Sequence, residues 1–208
     1  MRTRAVPIVG MLSAIFVFGG LEMVDAASLD QPPSVHIDTD HDGLTDEQEK
    51  LFGTDPLRAD TDEDGYPDGM EVQNGYAPTS TSRVRLVKRL RIHLKSQMLE
   101  RELGGIVFAT HRISTGRKGM RTPTGTFHVL SKKSRAWSRR AKLWMPWWMA
   151  FSSNGLGIHE LPEWPNGKKE GATHLGTPVS GGCVRVGIDA AKTLYDWTPV
   201  GTQIVIIN

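Results

Sequence analysis

The sequence has little cysteine, few aromatic residues and almost no net charge. Of its 208 residues one is cysteine and 7% are aromatic, and 25 Lys and Arg against 23 Asp and Glu leave a formal net charge of +2. A single thiol excludes an intramolecular disulfide. The composition also excludes an intrinsically disordered chain, a collagen and a multi-span membrane protein. It fits one ordinary domain with a smaller segment attached.

The small net charge hides two segments of opposite sign. Residues 27–82 carry 2 basic and 14 acidic residues, whereas residues 83–208 carry 21 basic and 7 acidic residues. Their charges are therefore −12 and +14, and the remaining residues, 1–26, are balanced. This segregation predicts two modules with different partners. We expect no nucleic-acid partner.

The first 26 residues have the pattern of a secretory signal peptide. Two arginines precede an uncharged run from Ala5 to Leu21, and small or β-branched residues follow at 24–26. An uncleaved anchor is the alternative, but this run is shorter than the roughly 20 apolar residues that a spanning helix needs. We therefore predict export to the periplasm or cell envelope, with no membrane span after cleavage.

An acidic motif occurs twice at an offset of 22 residues, in the form D-x-D-x-D-G-x-x-D-x-x-E. Carboxylates at positions 1, 3, 5, 9 and 12 around a glycine at position 6 are the spacing of a calcium loop. Without a cation these carboxylates repel one another, which argues against a metal-free fold. A solvated acidic linker is the alternative, but a random acidic tract would not place carboxylates and glycine twice in one register. The predicted calcium ligands are Asp38, Asp40, Asp42, Asp46 and Glu49 in the first copy, and Asp60, Asp62, Asp64, Asp68 and Glu71 in the second.

The segment between the two loops, Phe52-Gly-Thr-Asp-Pro56, resembles the link of thrombospondin type 3 repeats. The resemblance implies that residues 36–78 form a compact calcium-ordered stalk with little core of its own. Residues 79–85 are predicted to be a linker. The opposite charges further suggest that the acidic segment contacts the basic domain and covers its cleft.

Residues 86–208 alternate apolar and polar side chains in short runs broken by glycine and proline, which is typical of β structure. The sequence predicts a helix over Asp189–Trp197 with Asp189 as its N-cap. We expect a mostly β fold, a sandwich or barrel with one or two short helices. The predicted strands include Arg89–Leu94, Gly105–Ala109, Thr126–Leu130 and Gln203–Ile207.

The lone thiol, Cys183, follows Ser180, Gly181 and Gly182. The glycines leave space for the Gly182 and Cys183 amides to face an oxyanion, and Arg185 adds a positive charge that lowers a thiol pKa. These surroundings favour a reactive thiol. A small buried apolar residue is the alternative.

The wider segment, Gly155-Leu-Gly-Ile-His159 followed by Ser180-Gly-Gly-Cys-Val-Arg185, resembles the motif of the L,D-transpeptidase (YkuD) family. Three further segments resemble that family in the same order: Arg91–Leu94, Ile113–Gly116 with Thr122–Phe127, and Met145–Met149. The resemblance covers residues 86–208. It implies the family's mostly β catalytic domain and a cysteine acyl-transfer site.

By this resemblance Cys183 is the nucleophile, His159 the general base and Arg185 the basic residue just beyond the thiol, and the carbonyl of Glu160 orients the histidine. Together with Gly182, whose amide is expected to face the oxyanion, Cys183, His159 and Arg185 are the predicted catalytic residues. Gly181 stands where the family usually has a histidine, and His174 is a second candidate for that role. The clustered tryptophans are predicted either to wall the cleft or to fill the core. The predicted substrate-binding residues are Ser180, Gly181, Arg185, Glu160 and Trp148.

The resemblance implies an exported enzyme that cross-links peptidoglycan stem peptides through a thioester on Cys183. Two alternatives remain open. One is an L,D-carboxypeptidase of the same fold, which differs only in using water as the acceptor. The other is an inactive calcium-dependent wall-binding protein. No cofactor is expected for catalysis, and calcium is expected to be structural.

Overall fold

The structure, a computed structural model, describes residues 36–208. The predicted signal peptide, residues 1–26, lies outside the described residues. Within residues 36–208 no helix combines the length and apolar character needed to cross a membrane.

Residues 36–78, called the acidic module below, contain two loops that are each followed by a short helix. Helix α1 spans Asp46–Phe52 and helix α2 spans Asp68–Asn74. Thr45 caps α1, because its hydroxyl accepts the Gln48 amide while the Gln48 side chain accepts the Thr45 amide. Each helix ends at a left-handed glycine, Gly53 or Gly75. The loop-and-helix unit therefore repeats, as the sequence does.

Residues 86–208, called the β domain below, form one curled sheet of nine strands, in the order β4-β9-β1-β2-β3-β8-β7-β6-β5. Helix α3 (Ile188–Trp197) packs against β6 and β7, and Ala172–His174 form a 3-10 turn. The mostly β fold predicted from the sequence is confirmed. The strands are β1 Lys88–His93, β2 Met98–Leu103, β3 Ile106–Ser114, β4 Gly125–His128, β5 Ser131–Ser138, β6 Leu143–Ala150, β7 Gly157–Glu160, β8 Val184–Val186 and β9 Gln203–Ile207.

Alternation along the central strands builds the core. Leu90 and Ile92 of β1 are fully buried, and they pair in parallel with Ile204 and Ile206 of β9, which are buried as well. Because side chains of a strand alternate between faces, the residues between them face outward. Strand β3 pairs with both β2 and β8 and so joins the two halves of the sheet.

Strand β9 has the predicted bounds, and β1 and β4 overlap their predicted segments. The predicted N-cap of α3 is wrong. The helix begins at Ile188 after the extended residue Gly187, so Asp189 lies in the first turn. Its charge still favours that end of the helix, because an acidic side chain interacts well with the helix N-terminus.

The acidic module shares the core of the β domain. Its buried apolar residues Leu44, Phe52 and Val72 belong to the same cluster as Phe108 and Trp197. The Phe52 and Phe108 rings are 6.1 Å apart. Across the same boundary, the Gln48 side-chain amide donates to the Phe108 carbonyl at 2.7 Å. The module thus obtains from the β domain the core that it is too small to build alone.

The segment predicted as a linker, residues 79–85, folds back onto the end of α2. Ala77 donates its amide to the Val84 carbonyl, and Leu86 donates to the Gly75 carbonyl, both at 2.9 Å. The Arg83 guanidinium lies over the Tyr76 ring at 4.9 Å. These contacts hold the acidic module close to β1.

Candidate active site

Strands β7 and β8 place three predicted site residues on one face of the sheet. The strands run parallel, with His159 opposite Arg185. Cys183 directly precedes β8, and its side chain lines the same cleft as those of Arg185 and His159. The alternate residues, Ile158 and Val184, are fully buried on the other side. The apolar pattern of these strands therefore orients the polar residues.

The three side chains line a cleft of about 460 Å³. The turn before the thiol contributes Ser180 and Gly181 to its wall. The remaining wall combines cationic and apolar side chains that were not among the predicted site residues, among them Arg117, Met120, Arg140, Leu143, Met145 and Leu156. The cleft is therefore lined by both positively charged and apolar side chains.

His159 is held in one orientation. Its Nδ1 lies 2.5 Å from the Glu160 carbonyl oxygen, so Nδ1 carries the proton and Nε2 is the free acceptor. The ring is 4% exposed and lies 5.8 Å from the Trp148 ring. Burial lowers the pKa of His159 to about 4, against the Glu160 hydrogen bond that raises it. The imidazole is therefore neutral near pH 7 and able to accept a proton.

Cys183 is half-buried, and its Sγ lies 4.0 Å from the Gly155 carbonyl oxygen. Burial raises the pKa of its thiol, while a backbone hydrogen bond from Gly157 and the charge of Arg185 lower it. The expected effect of Arg185 is present, but burial outweighs it. The thiol therefore needs a base to become a thiolate at neutral pH.

The turn before the thiol is fixed by Ser180, which is 1% exposed. Its hydroxyl donates to the Cys183 carbonyl at 2.6 Å and accepts the Gly182 amide at 3.1 Å. The Gly182 carbonyl accepts from the Thr122 hydroxyl at 2.9 Å, and Gly182 has a φ of 114°. The prediction that the Gly182 amide faces an oxyanion needs correction, because that amide is engaged by Ser180.

Arg185 is part of a charged chain that sequence reasoning missed. Its Nη1 contacts both oxygens of Glu170, at 2.9 and 3.2 Å, and the same carboxylate lies 3.1 Å from Nδ1 of His174. His174 does not line the cleft. It therefore does not take the place of the histidine that is missing at Gly181. No local pattern signals Glu170, because its partner is fifteen residues away.

The side chains of two predicted substrate-binding residues lie outside the cleft. Glu160 is 2% exposed, and its carboxylate contacts Lys169 at 2.5 Å. Trp148 is 7% exposed and lies beneath Gly157, where an added Cβ would come within 2.6 Å of its ring. The pleat explains the placement of Glu160, which points away from the face that carries His159. None of the clustered tryptophans, Trp144, Trp147, Trp148 or Trp164, is among the cleft-lining residues.

The expectation that the acidic module covers the cleft is wrong. All residues that line the cleft belong to the β domain. The module instead packs against Phe108 of β3, which is not among them. Its contacts with the β domain include the shared apolar cluster and no ion pair among the described residues.

The acidic module contains two candidate metal centres. Carboxylate oxygens of Asp38, Asp40 and Asp42 lie within 4.8 Å of one another, and so do those of Asp60, Asp62 and Asp64. Among the described residues several buried carboxylate oxygens of the loops have no hydrogen-bond partner, which suits a hard cation. They are Asp40 Oδ2, Glu49 Oε2, Asp60 Oδ1, Asp62 Oδ2 and both oxygens of Glu71.

The other predicted ligands divide into two kinds. Glu49 and Glu71 are buried beside the aspartates, and burial followed by those neighbouring charges raises the pKa of each to about 7. A cation would relieve this repulsion. Asp46 instead accepts the amide and hydroxyl of Thr39 at 3.0 Å each, and Asp68 accepts both groups of Thr61. These two carboxylates therefore stabilise the loops through hydrogen bonds to threonine.

Comparison with known families gives matches over both parts of the chain. The family model of the L,D-transpeptidase catalytic domain, YkuD, matches residues 88–206. The model of the bacterial TSP3 repeat matches residues 38–59 and 60–75. These boundaries fall on the β domain and on the two acidic loops with their helices.

Individual proteins agree with the family match. The curated Bacillus subtilis (strain 168) protein named "Putative L,D-transpeptidase YciB" is 31% identical over 126 residues, which are 55% of this chain and 63% of that protein. An L,D-transpeptidase from Mycobacterium smegmatis superposes with a TM-score of 0.53 at 19% identity, covering 61% of each chain. L,D-transpeptidase 3 from Mycobacterium tuberculosis, solved with a faropenem-derived adduct, gives 0.53 at 17% identity, covering 61% of this chain and 62% of that one. The chain thus spans less than two thirds of each of these three proteins.

Proposed function

Because the chain belongs to the YkuD family of L,D-transpeptidase catalytic domains and carries bacterial TSP3 repeats, we propose that it is an exported enzyme that cross-links peptidoglycan stem peptides through a thioester on Cys183. The observation that carries this proposal is the shared face of β7 and β8. It brings a thiol, a neutral histidine and an arginine into one cleft.

In the first half-reaction His159 Nε2 takes the proton of the Cys183 thiol. The sulfur attacks the carbonyl that joins residue 3 of a tetrapeptide stem to its terminal D-Ala. The proton on His159 then passes to the departing amine as the peptide bond breaks, which releases D-Ala and leaves the thioester. Since the Glu160 carbonyl fixes the Nδ1 proton, His159 keeps the tautomer that this cycle requires.

The tetrahedral oxyanion needs a donor other than Gly182. The Ser180 hydroxyl accepts the Gly182 amide and donates to the Cys183 carbonyl. These two hydrogen bonds fix the backbone before and after the Cys183 side chain. We assign the Cys183 amide as the oxyanion donor of this turn. Ser180 thus positions the turn that carries the thiol.

In the second half-reaction an acceptor amine attacks the thioester carbonyl, loses its proton to His159 and expels the Cys183 sulfur. The product is a 3→3 cross-link. Water in place of the amine gives the carboxypeptidase product. The cleft arginines, Arg117, Arg140 and Arg185, suit a donor that carries carboxylates.

The TSP3 module is proposed to bind two calcium ions and to have a structural role. The two aspartate triads and the buried carboxylate oxygens without partners support this assignment. When bound, calcium supplies charge neutralisation that lets the loops fold. The charged start and the uncharged run within residues 1–26 support export to the periplasm or cell envelope.

The test is incubation of the purified protein with tetrapeptide muropeptides, followed by mass analysis. A cross-linked dimer supports the transpeptidase, and a tripeptide monomer supports the carboxypeptidase. Unchanged substrate, together with no adduct on Cys183 after exposure to faropenem, contradicts the proposal and favours a wall-binding protein. Cys183→Ser is the matched control, and it should form neither product nor adduct.

A further inference from the structure

A second concavity lies where the acidic module meets the β domain. Its volume is about 460 Å³, and it shares no lining residue with the cleft. One wall comes from the first loop, α1 and α2, and the other from β1, β2, β3 and α3. This interface pocket is lined by Gly43, Leu44, Gln48, Val72, Gln73, Asn74, Lys88, Arg101, Phe108, Thr193, Asp196 and Trp197. The proposed reaction uses none of these residues.

Arg101 enters the interface pocket between two aromatic rings. Its guanidinium carbon lies 4.8 Å from the centre of the Phe108 ring and 5.6 Å from that of Trp197. Its Nε is buried, and it has no hydrogen-bond partner in the part of the chain that the structure describes. A buried donor without an acceptor is costly, so an acceptor from outside the chain would stabilise it.

Lys88 brings a second positive charge to the same pocket. Its Nζ donates to the Trp197 carbonyl at 3.0 Å and lies 4.9 Å from the centre of the Trp197 ring. Burial lowers the pKa of Lys88, and the charges of Arg85 and Arg101 lower it further. The two cations of the pocket therefore repel each other, and the fold holds them together.

No carboxylate compensates these charges. Within residues 36–208 neither Lys88 nor Arg101 forms an ion pair. The one carboxylate among the lining residues, Asp196, contacts Lys192 at 2.5 Å and is half exposed. By contrast, Arg89 and Arg91, on the opposite face of β1, share the buried carboxylate of Glu102. The chain thus supplies a counterion to one pair of cations on these strands and not to the other.

We propose that the interface pocket binds a small oxyanion, a carboxylate or a phosphate ester, between the Arg101 guanidinium and the Lys88 ammonium. The planar fork of a guanidinium matches both anions, and the Trp197 ring lies beside both cations. Because the pocket is built from both parts of the chain, a bound anion would also join the acidic module to the β domain. A free anion and one carried on a wall polymer share this chemistry.

The test is a titration of the full calcium-loaded chain with methyl phosphate and, separately, with acetate, at an ionic strength held constant with chloride. The Nε–H resonance of Arg101 reports binding in ¹H–¹⁵N spectra, and it is assigned by its loss in Arg101→Lys. We expect its shift to saturate. We expect Arg101→Met and Lys88→Met each to weaken binding roughly tenfold, as for a lost charge-assisted hydrogen bond. The affinity of Arg101→Met, which lacks the Nε–H group, is read from the amide resonance of Phe108. Lys95→Met, an exposed lysine outside the pocket, should bind as the parent chain does.

Saturation by methyl phosphate alone assigns a phosphate ester, and saturation by acetate alone assigns a carboxylate. Shifts that stay linear with both anions, or equal affinities in the pocket variants and in Lys95→Met, overturn the proposal. If Arg101→Met does not fold, Arg101→Lys is titrated in its place, and binding is again read from the amide resonance of Phe108. It keeps the charge and removes the fork, so an unchanged affinity would overturn the assignment of Arg101.

Discussion

Both carboxylate oxygens of Glu170 lie within hydrogen-bond distance of Arg185 Nη1, at 2.9 and 3.2 Å. The pair is largely buried, with side-chain exposures of 13% for Glu170 and 15% for Arg185. Glu170 therefore offsets part of the positive charge that Arg185 presents to the cleft. This relationship controls how strongly Arg185 acts on the thiol two residues away.

We expect Glu170→Gln to lower the pKa of the Cys183 thiol, because the charge of Arg185 is then no longer offset. Alkylation of the thiol by iodoacetamide at pH 7 should become roughly two- to fivefold faster, equivalent to about 0.4–1 kcal/mol. Turnover should fall about tenfold, since Arg185 loses its fixed position. Glu163→Gln, which breaks the exposed pair with Arg135, is the control and should change neither quantity. Slower alkylation in Glu170→Gln would contradict the assignment.

A second prediction concerns the acid limb of the acylation rate. With the pKa of His159 lowered to about 4 by burial, the base takes up a proton only as the pH falls through that value. The rate of adduct formation with faropenem should therefore hold well below pH 6.5 and fall with a midpoint near 4. The measurement is single-turnover acylation across pH, with tryptophan fluorescence to check that the chain stays folded. His174→Gln should leave the acid limb unchanged, and a midpoint near 6.5 would contradict a pKa of His159 that burial lowers.

A third prediction separates the two glycines before the thiol. Gly181 does not have a positive φ, and an added Cβ would meet only Met120 Sδ at 4.0 Å, so Gly181→Ala should stabilise the fold by about 0.4–1 kcal/mol. Gly182 has a φ of 114°, and its added Cβ would lie 3.1 Å from Leu156, so Gly182→Ala should destabilise it by about 1–3 kcal/mol. Urea unfolding of the two variants gives the comparison. Equal free energies of unfolding would mean that the turn differs from the one described.

A fourth prediction concerns calcium. Saturating calcium at about 100 times its dissociation constant should stabilise the chain by roughly 2.7 kcal/mol for one site. Glu71→Gln removes a buried carboxylate with two oxygens that lack partners, so it should abolish most of the gain contributed by the second loop. Glu47→Gln, an exposed acidic residue outside the ligand positions, should keep the full gain. Thermal unfolding with and without calcium measures both, and equal calcium responses would remove Glu71 from the site.

The sequence was most informative where function imposes spacing. The two acidic loops were found from a repeat of carboxylates and glycines, and the thiol and histidine were singled out from motifs at two short strands. Strand β9 was predicted to the residue, because alternating isoleucines and valine leave one interpretation. In each case the signal lies within about twelve consecutive residues.

The features that the sequence did not indicate depend on contacts between distant segments. Strand β5 is an edge strand that is largely exposed, so its sequence, SKKSRAWS, lacks an apolar face. Glu170 has no local motif, and its role appears only when β8 comes beside it. The engagement of the Gly182 amide depends on the Ser180 rotamer, which a list of residue types does not contain. Phe108 could be placed on a strand, but its contact with Phe52 joins segments that are far apart in the chain.

The parallel pairing of β1 with β9 has a consequence for the order in which the chain folds. The side chains of Arg89 and Gln203, opposite one another in these strands, are 114 residues apart in sequence. A contact of this range closes a long loop before any stabilisation is gained, and it slows folding. Until β9 arrives, β1 has one unpaired edge, and the apolar face of Leu90 and Ile92 lacks its partners. A chain that is still being synthesised therefore cannot complete this side of its sheet, where β4, β9 and β1 pair, until β9 has been made.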